Sequence, residues 1–559
     1  MRIALFSAFL IFLASCKSDM ILPDDAFTVT PQILEEVGGQ VPVTVDGFFP
    51  EKYFNKKAVV TLVPVLQWDG GAVRAAAITF QGEKIEGNNS VVKKKDGYAF
   101  TIKFSFPYQP EMSCSELFMT FDATVKGKVV EIPALKLADG VISTEDLYKY
   151  SALNANTPAM SEDAFQRIIK QAQEANIMFA IQQANLRSSE TNSDGIRILK
   201  ETMKAVASDT KNFDVENIEI SAYASPDGDM SLNTELATKR ESNTIEYMKK
   251  QMKETNVKSP LESRYTAEDW DGFKQLVEGS NLQDKDLILR VLSMYKDPER
   301  REAEIKNLSS VFAELADDIL PQLRRARLTL NYQIIGRSDN EIREAYKNDP
   351  KTLSCNELLY AATLTDNWKE KEEIYTETTR IYPNDYRAYN NLGVLAFEND
   401  DIETAHEFYH KALALNSSAS EIHTNLSNML LSRGLVAEAQ NHLSKGGNSA
   451  ENRIALGTSY IAQGQYSRAI ELLKGSDTET EALAYILSGE YTNAKNVLDN
   501  LSIKTANAFY MSAIIAARTN DAQAVEENLK LAVSTDPSFK ERAANDLEFA
   551  KFRSITEKL

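Results

Sequence analysis

One group of residues in this chain has a spacing that suggests chemistry. His406-Glu-Phe-Tyr-His410 reads H-E-x-x-H. On a helix that spacing brings two imidazoles to one face as zinc ligands, with the glutamate as the general base of a peptidase. Zinc chemistry of this kind needs a third protein ligand. No glycine-spaced third His follows, and the nearest candidates, Glu421 and His423, belong to the next predicted helix. Ala405, Tyr409 and Ala412 interleave with the motif at helical spacing and read as packing residues. His406, Glu407 and His410 then fall on the more exposed side. The chain has 4 His in all, and its 3 Cys (Cys16, Cys114 and Cys355) are scattered without metal or disulfide spacing. No nucleophile–base pair or nucleotide loop is legible elsewhere. The residues therefore predict a protein that is not an enzyme, with no metal and no cofactor.

A chain of 559 residues is too long for one core. Its net charge of −19 argues against nucleic acid as a partner, because phosphate binding needs a basic surface. Residues 3–13 form an apolar run after Arg2. That is too short to span a bilayer, which takes roughly 20 residues, and it fits the core of an export signal. The run closes on Leu13-Ala14-Ser15-Cys16, which resembles a bacterial lipobox. The resemblance implies a signal peptide at 1–15, lipidation of Cys16 and a lipidated linker at 16–23. More than one acyl chain makes such an anchor stable. The expected location is the outer membrane of a Gram-negative cell, on its periplasmic face or at the cell surface.

Residues 24–142 read as all-β. Runs at 27–30, 40–45, 58–68, 73–80, 98–106, 117–125 and 128–135 are rich in Val, Phe, Thr and Ile. Turn clusters such as Asp69-Gly70-Gly71 and Lys126-Gly127 bound them. Short strands at this spacing predict a β-sandwich of immunoglobulin-like size. Residues 143–175 read as a polar helical connector.

A strand is expected to begin at 177. A further strand at 217–223, a turn at 224–228 and a long helix at 232–252 follow it, half of a βαβ unit. Asn233, Leu236, Ala237, Arg240 and Glu241 match the Asn-x-x-Leu-Ser-x-x-Arg-Ala motif of the OmpA-like domain, with Ala237 for Ser and Glu241 for Ala. Residues 177–179 and Arg324-Arg325-Ala326 match its opening and closing strands. Residues 176–336 thus resemble that βαβαββ module, with a helical insertion before the last strand. In many members the module binds peptidoglycan. A turn Asp and the helix Arg clamp the diaminopimelate head, a carboxylate meeting its ammonium and a guanidinium its carboxylate. The resemblance assigns the guanidinium to Arg240. Ser225 stands at the position of the Asp and supplies no charge. Asp227, in the same turn, takes that role if the turn is re-formed around Pro226. The alternative is that Arg240 pairs with Glu219 or Glu241 and no glycan binds.

From about 340 to 559 the period changes. Trp368, Ile402 and Val436 recur every 34 residues, as do Ala405 and Ala439, the spacing of tetratricopeptide (TPR) repeats. Tyr389, Leu392, Gly393 and Ala396 read as a first helix, and Ala405, Tyr409 and Ala412 as a second. Such hairpins stack into a solenoid with a concave face for peptides or domains. Asn391 and Asn425 share one repeat position, which in related arrays can face the groove and hold a peptide backbone or terminus.

The predicted fold class is multidomain α+β: an N-terminal β-sandwich, an OmpA-like module and a C-terminal α-helical solenoid. The order of these signals resembles a Bacteroidetes-type outer-membrane lipoprotein. Its expected partners are the membrane through the lipid, peptidoglycan, and proteins through the repeats. The alternative is a scaffold of a surface or secretion assembly that binds no peptidoglycan.

Overall fold

The computed structural model describes residues 22–23, 25–155, 158–282, 284–307 and 315–559. Cys16 and the expected signal peptide lie outside them. No helix among the described residues is long and apolar enough to cross a membrane. The chain divides into two compact units, one made of residues up to Asp163 together with Thr365–Leu559, the other of Ala164–Leu364. The expected string of separate domains is thus regrouped: the β-sandwich and the helical array fold as one unit.

In the first unit, strands Phe27–Thr30, Gln40–Phe49 and Tyr98–Pro107 form a small sheet. Strands Ile33–Glu35, Leu135–Ile142, Ser115–Val125, Ala58–Trp68, Ile78–Gly82 and Ser90–Val92 form, in that order, the main path of a larger one. Alternation decides the inner face: Val41, Val43, Val45 and Phe49 of one strand are buried between exposed neighbours. They meet Leu62, Leu66, Phe80, Leu117 and Met119 in a shared core. Two expected strands are split. The run 73–80 breaks into Gly71–Arg74 and Ile78–Gly82. Opposite the gap stands Pro64, which has no N–H for the ladder. Pro133 likewise separates Lys128–Val130 from Leu135–Ile142.

Among the described residues the expected connector is helical over Thr144–Asp146, Leu147–Tyr150 and Ser151–Ala155 only. It is not a surface link. Glu145, Leu147, Ser151, Ala152, Ala159 and Ser161 are all buried. Leu147 and Tyr148 share a core with Ile461, Leu483 and Ile486 of the array, and Ala152 packs with Leu431 and Ala439.

The array runs in helical hairpins: Tyr386–Glu398 with Ile402–Leu415, Ser420–Ser432 with Val436–Leu443, Ala450–Ile461 with Tyr466–Leu473, Glu479–Leu487 with Tyr491–Asn500, and Ala506–Arg518 with Ala522–Thr535. Each turn has one residue at positive φ, namely Asp400, Gly434, Gly464, Gly489 and Asn520. Glycine, Asn and Asp tolerate that conformation best, which is why these types recur there. At Gly393 a Cβ would lie 2.6 Å from the Tyr409 ring, so glycine permits the close approach within the first hairpin.

In the second unit a four-stranded sheet has the order Ile168–Met178, Arg325–Ile335, Phe213–Tyr223, Leu261–Thr266. The last two strands are parallel and the other pairs antiparallel. The first strand starts nine residues before the expected 177, within the stretch read as connector. Its residues are largely exposed there, so no apolar alternation marked it. Helices Asp194–Ser208 and Met230–Thr255 pack on the sheet through Ile196, Leu199, Met203, Val206 and Met248. Trp270–Gly279, Lys285–Met294 and Pro298–Asn307 form the insertion, with a small core of its own. Helices Asp339–Asn348 and Cys355–Thr363, expected to open the array, belong to this second unit.

Candidate functional site

Each unit carries a candidate site. In the second unit it forms where strand Phe213–Tyr223 turns into helix Met230–Thr255. The buried face of that helix runs Asn233, Ala237, Arg240, Thr244, Met248, Gln251 and Thr255, a helical spacing built largely from polar types. Arg240 is 1% exposed. Its Nη1 donates to the Tyr223 carbonyl (2.7 Å) and its Nε to the Gln183 carbonyl (3.0 Å). The guanidinium lies 5.0 Å from the centre of the Phe179 ring. Burial pushes its pKa down to about 10, helped by the neighbouring Arg324 and opposed by Asp227. Arg240 therefore does not pair with Glu219 or Glu241 as the alternative had it. Main-chain carbonyls take its hydrogen bonds, and Glu219 accepts from Asn331 (3.0 Å).

Asp227 faces a different arginine. Its Oδ2 accepts from Arg324 Nη2 at 3.1 Å, its Oδ1 is bonded by the Ser225 hydroxyl, and Arg324 Nε donates to Ser225 Oγ at 3.2 Å. The turn is tightened by the Asp227 N–H donating to the Ser225 carbonyl (2.9 Å). Asn233 closes it from the helix, donating to the Gly228 carbonyl (3.0 Å). Ser225, Asp227, Asn233 and Arg240 thus gather at one strand end, with two guanidiniums against one carboxylate. Sequence reading had Arg324 only as the start of the closing strand. Its place at the site follows from the antiparallel register of Phe213–Tyr223 with Arg325–Ile335, which a motif scan does not supply.

In the first unit the groove of the array is occupied by the protein's own chain. Asn425 Oδ1 accepts from the Ala159 N–H (2.8 Å), and its Nδ2 donates to the Ala159 carbonyl (2.8 Å). Asn391 does the same for Ser161, at 2.8 and 3.2 Å. Asn390 adds a bond to the Ala159 carbonyl (3.0 Å). Ser161 Oγ donates to Glu421 (2.9 Å), which also accepts from Tyr386 (3.0 Å). Arg387 Nη1 donates to the Asp163 carbonyl (2.9 Å). The N–H and C=O of both Ala159 and Ser161 are matched, at alternate residues of the segment, by carboxamides that donate and accept at once.

The other end of the segment is held by later helices. Glu145, 1% exposed, accepts from the Gly38 N–H at 2.9 Å and from the Tyr466 hydroxyl. The Thr144 hydroxyl bonds Glu548, which pairs with Arg518. Asn507 reaches Ser151 Oγ (3.4 Å) and Glu479 (2.9 Å). Residues 144–155 and 158–163 therefore meet the array in the order opposite to its own chain order, and the first of them tie it to the sandwich. Sequence reading singled out Asn391 and Asn425 as groove residues. It gave no signal that the occupant comes from the connector.

His406, Glu407 and His410 are exposed, with the two rings 4.2 Å apart between centroids, while Ala405 and Tyr409 are buried. Among the described residues no group of three or more His, Cys, Asp or Glu is placed to hold a metal ion.

Comparison with known proteins bears on the array. Residues 374–407 match the tetratricopeptide repeat family model. No curated protein matches the chain. A tetratricopeptide repeat protein from Parabacteroides merdae is 17% identical over 39% of this chain and 91% of its own, with a TM-score of 0.30. PilW, described as a type IV pilus biogenesis factor, is 17% identical over 33% of this chain and 94% of its own, at 0.28. The pilF protein of Pseudomonas aeruginosa is 17% identical over 39% and 99%, at 0.27. The assignment of TPR repeats rests on the family match and on the hairpins themselves. TPR repeats are protein–protein interaction scaffolds.

Proposed function

We propose that this chain is a non-enzymatic scaffold of the cell envelope. The lipid on Cys16 holds it to the outer membrane, the module at 176–336 is OmpA-like and engages peptidoglycan, and the repeats bind protein partners. The observation that carries the reading is the TPR array, an interaction fold, here built into one unit with the β-sandwich. With its groove holding residues 158–163, the array offers partners its outer helices.

The peptidoglycan reading is supported by the sheet order, with its parallel pair at one edge, and by the meeting of Ser225, Asp227, Asn233 and Arg240 at one turn. The pair Arg324–Asp227 has the complementary charges a zwitterionic amino-acid head requires. Sedimentation of the full chain with purified peptidoglycan tests it. Wild type is expected in the pellet and Arg324→Gln in the supernatant. Equal retention of the two would remove the clamp. A Cys16→Ala variant is expected in the soluble fraction, and its persistence in membranes would remove the anchor.

One observation favours the alternative of a surface or secretion scaffold without wall binding. Arg240 is buried and bonded to two carbonyls of its own module, an arrangement that serves the fold. Partner binding by a chain that never sediments with the wall would support that alternative.

A further inference from the structure

All 4 histidines of the chain fall between positions 406 and 442. His423 is buried on helix Ser420–Ser432, two residues from Glu421 and two from Asn425, the groups that hold Ser161 and Ala159. Its Nε2 lies 3.0 Å from the Ser417 carbonyl oxygen. Its Nδ1 lies 2.9 Å from Nδ1 of His442, on helix Val436–Leu443. A carbonyl only accepts, so Nε2 of His423 carries hydrogen. In the neutral ring Nδ1 is then bare and accepts from the Nδ1–H of His442. One extra proton fits this pair, because either ring can donate to the other. Two do not fit, because two N–H groups would face each other across 2.9 Å.

The groups around the pair disfavour added positive charge. Burial holds His442 below the usual imidazole range, and His423, Lys445 and His410 lower it further. His410, on helix Ile402–Leu415, is itself lowered by burial and by His406. Helix Tyr386–Glu398 brings Arg387, paired with Asp385 at 2.7 Å, and Tyr386, bonded to Glu421. Helix Leu147–Tyr150 brings Lys149, paired with Asp146 at 2.5 Å. Ser151–Ala155 carries no charged residue. Helix Ala450–Ile461 brings the Asn452 amide to Thr424 (3.4 Å).

We propose that this histidine pair makes the groove's hold on residues 158–163 sensitive to acid. In acid a second proton on the pair drives the two rings apart. Helix Ser420–Ser432 shifts, and Asn425 and Glu421 withdraw from the segment. The sign follows from linkage: a histidine harder to protonate in the packed form favours the loosened form as pH falls. The vacated asparagines then face any extended peptide, so acid exchanges the internal occupant for an external one.

Hydrogen exchange of the full chain, normalised to intrinsic rates at pH 8 and 5.5, tests this. The amides of 159–163 are expected to lose protection by about tenfold or more at the lower pH, while strand Ala58–Trp68 keeps its own. His442→Gln, whose amide still donates to His423 Nδ1, is expected to abolish the loss. His410→Gln removes a neighbour that lowers His442 and is expected to move the midpoint to higher pH. Equal protection at both pH values would overturn the proposal. So would a loss shared by the sandwich, an undiminished loss in His442→Gln, or an unmoved midpoint in His410→Gln.

Discussion

The two candidate sites use the same device, a polar side chain bonded to main-chain groups of its own chain, over very different distances in sequence. Arg240 bonds the carbonyls of Tyr223 and Gln183, both in its own sheet-and-helix module. Asn391 and Asn425 bond Ser161 and Ala159, which lie 230 and 266 positions away. The first arrangement closes a local turn. The second fastens a segment that also ties the sandwich to the array. Losing the first should damage one module, whereas losing the second should free a segment and leave the elements around it folded.

The largest expected effect is at Arg240. Arg240→Ala leaves the buried Tyr223 carbonyl and the more exposed Gln183 carbonyl without this donor, and a void beside Phe179. It should destabilise the second unit by about 3–5 kcal/mol, read as a lower urea midpoint for the transition that reports on that unit. A loss below about 1 kcal/mol would show that water replaces the guanidinium, and the contrast with the groove would weaken.

Next is Glu36, close to the sandwich end of the segment. The residue is 6% exposed and one carboxyl oxygen is buried without a hydrogen-bond partner. Burial, then Asp146 and Glu145, push its pKa up to about 9. An acid raised in the native state contributes least cost below its unfolded pKa near 4.5. Stability should then decline as pH rises toward 9. Glu36→Gln is expected to flatten that slope and to gain on the order of 2–3 kcal/mol at pH 8. Melting curves from pH 5 to 9 check it. Parallel slopes in both proteins would show that Glu36 stays hydrated.

The smallest of these effects belongs to the clamp. Asn425→Ala removes the pair of bonds to Ala159 and should cost about 1–3 kcal/mol, seen mainly as faster exchange or proteolysis at 158–163. Global unfolding in its place would mean that the segment is core to the whole unit, and the distinction between the two sites would collapse.

Local pattern made several features legible. Strand alternation at 40–45 and the 34-residue period with Gly393 and Ala405 are nearest-neighbour properties. The turn at 224–228 and helix through Arg240 were legible from residue spacing too. The strand Ile168–Met178 was not, because its exposed residues leave little alternation to detect. Nor did the polar composition of 143–163 suggest burial. Glu145, Ser151 and Ser161 look like surface residues until their partners, Gly38, Asn507 and Glu421, are known.

By itself, then, the sequence determined most element types, the repeat, and the asparagines able to hold a peptide backbone, since those depend on residues a few positions apart. Which backbone they grip was decided only by the tertiary structure. Burying a polar segment is tolerable only where each N–H and C=O finds a partner, and those partners come from helices hundreds of residues downstream, brought alongside by the fold.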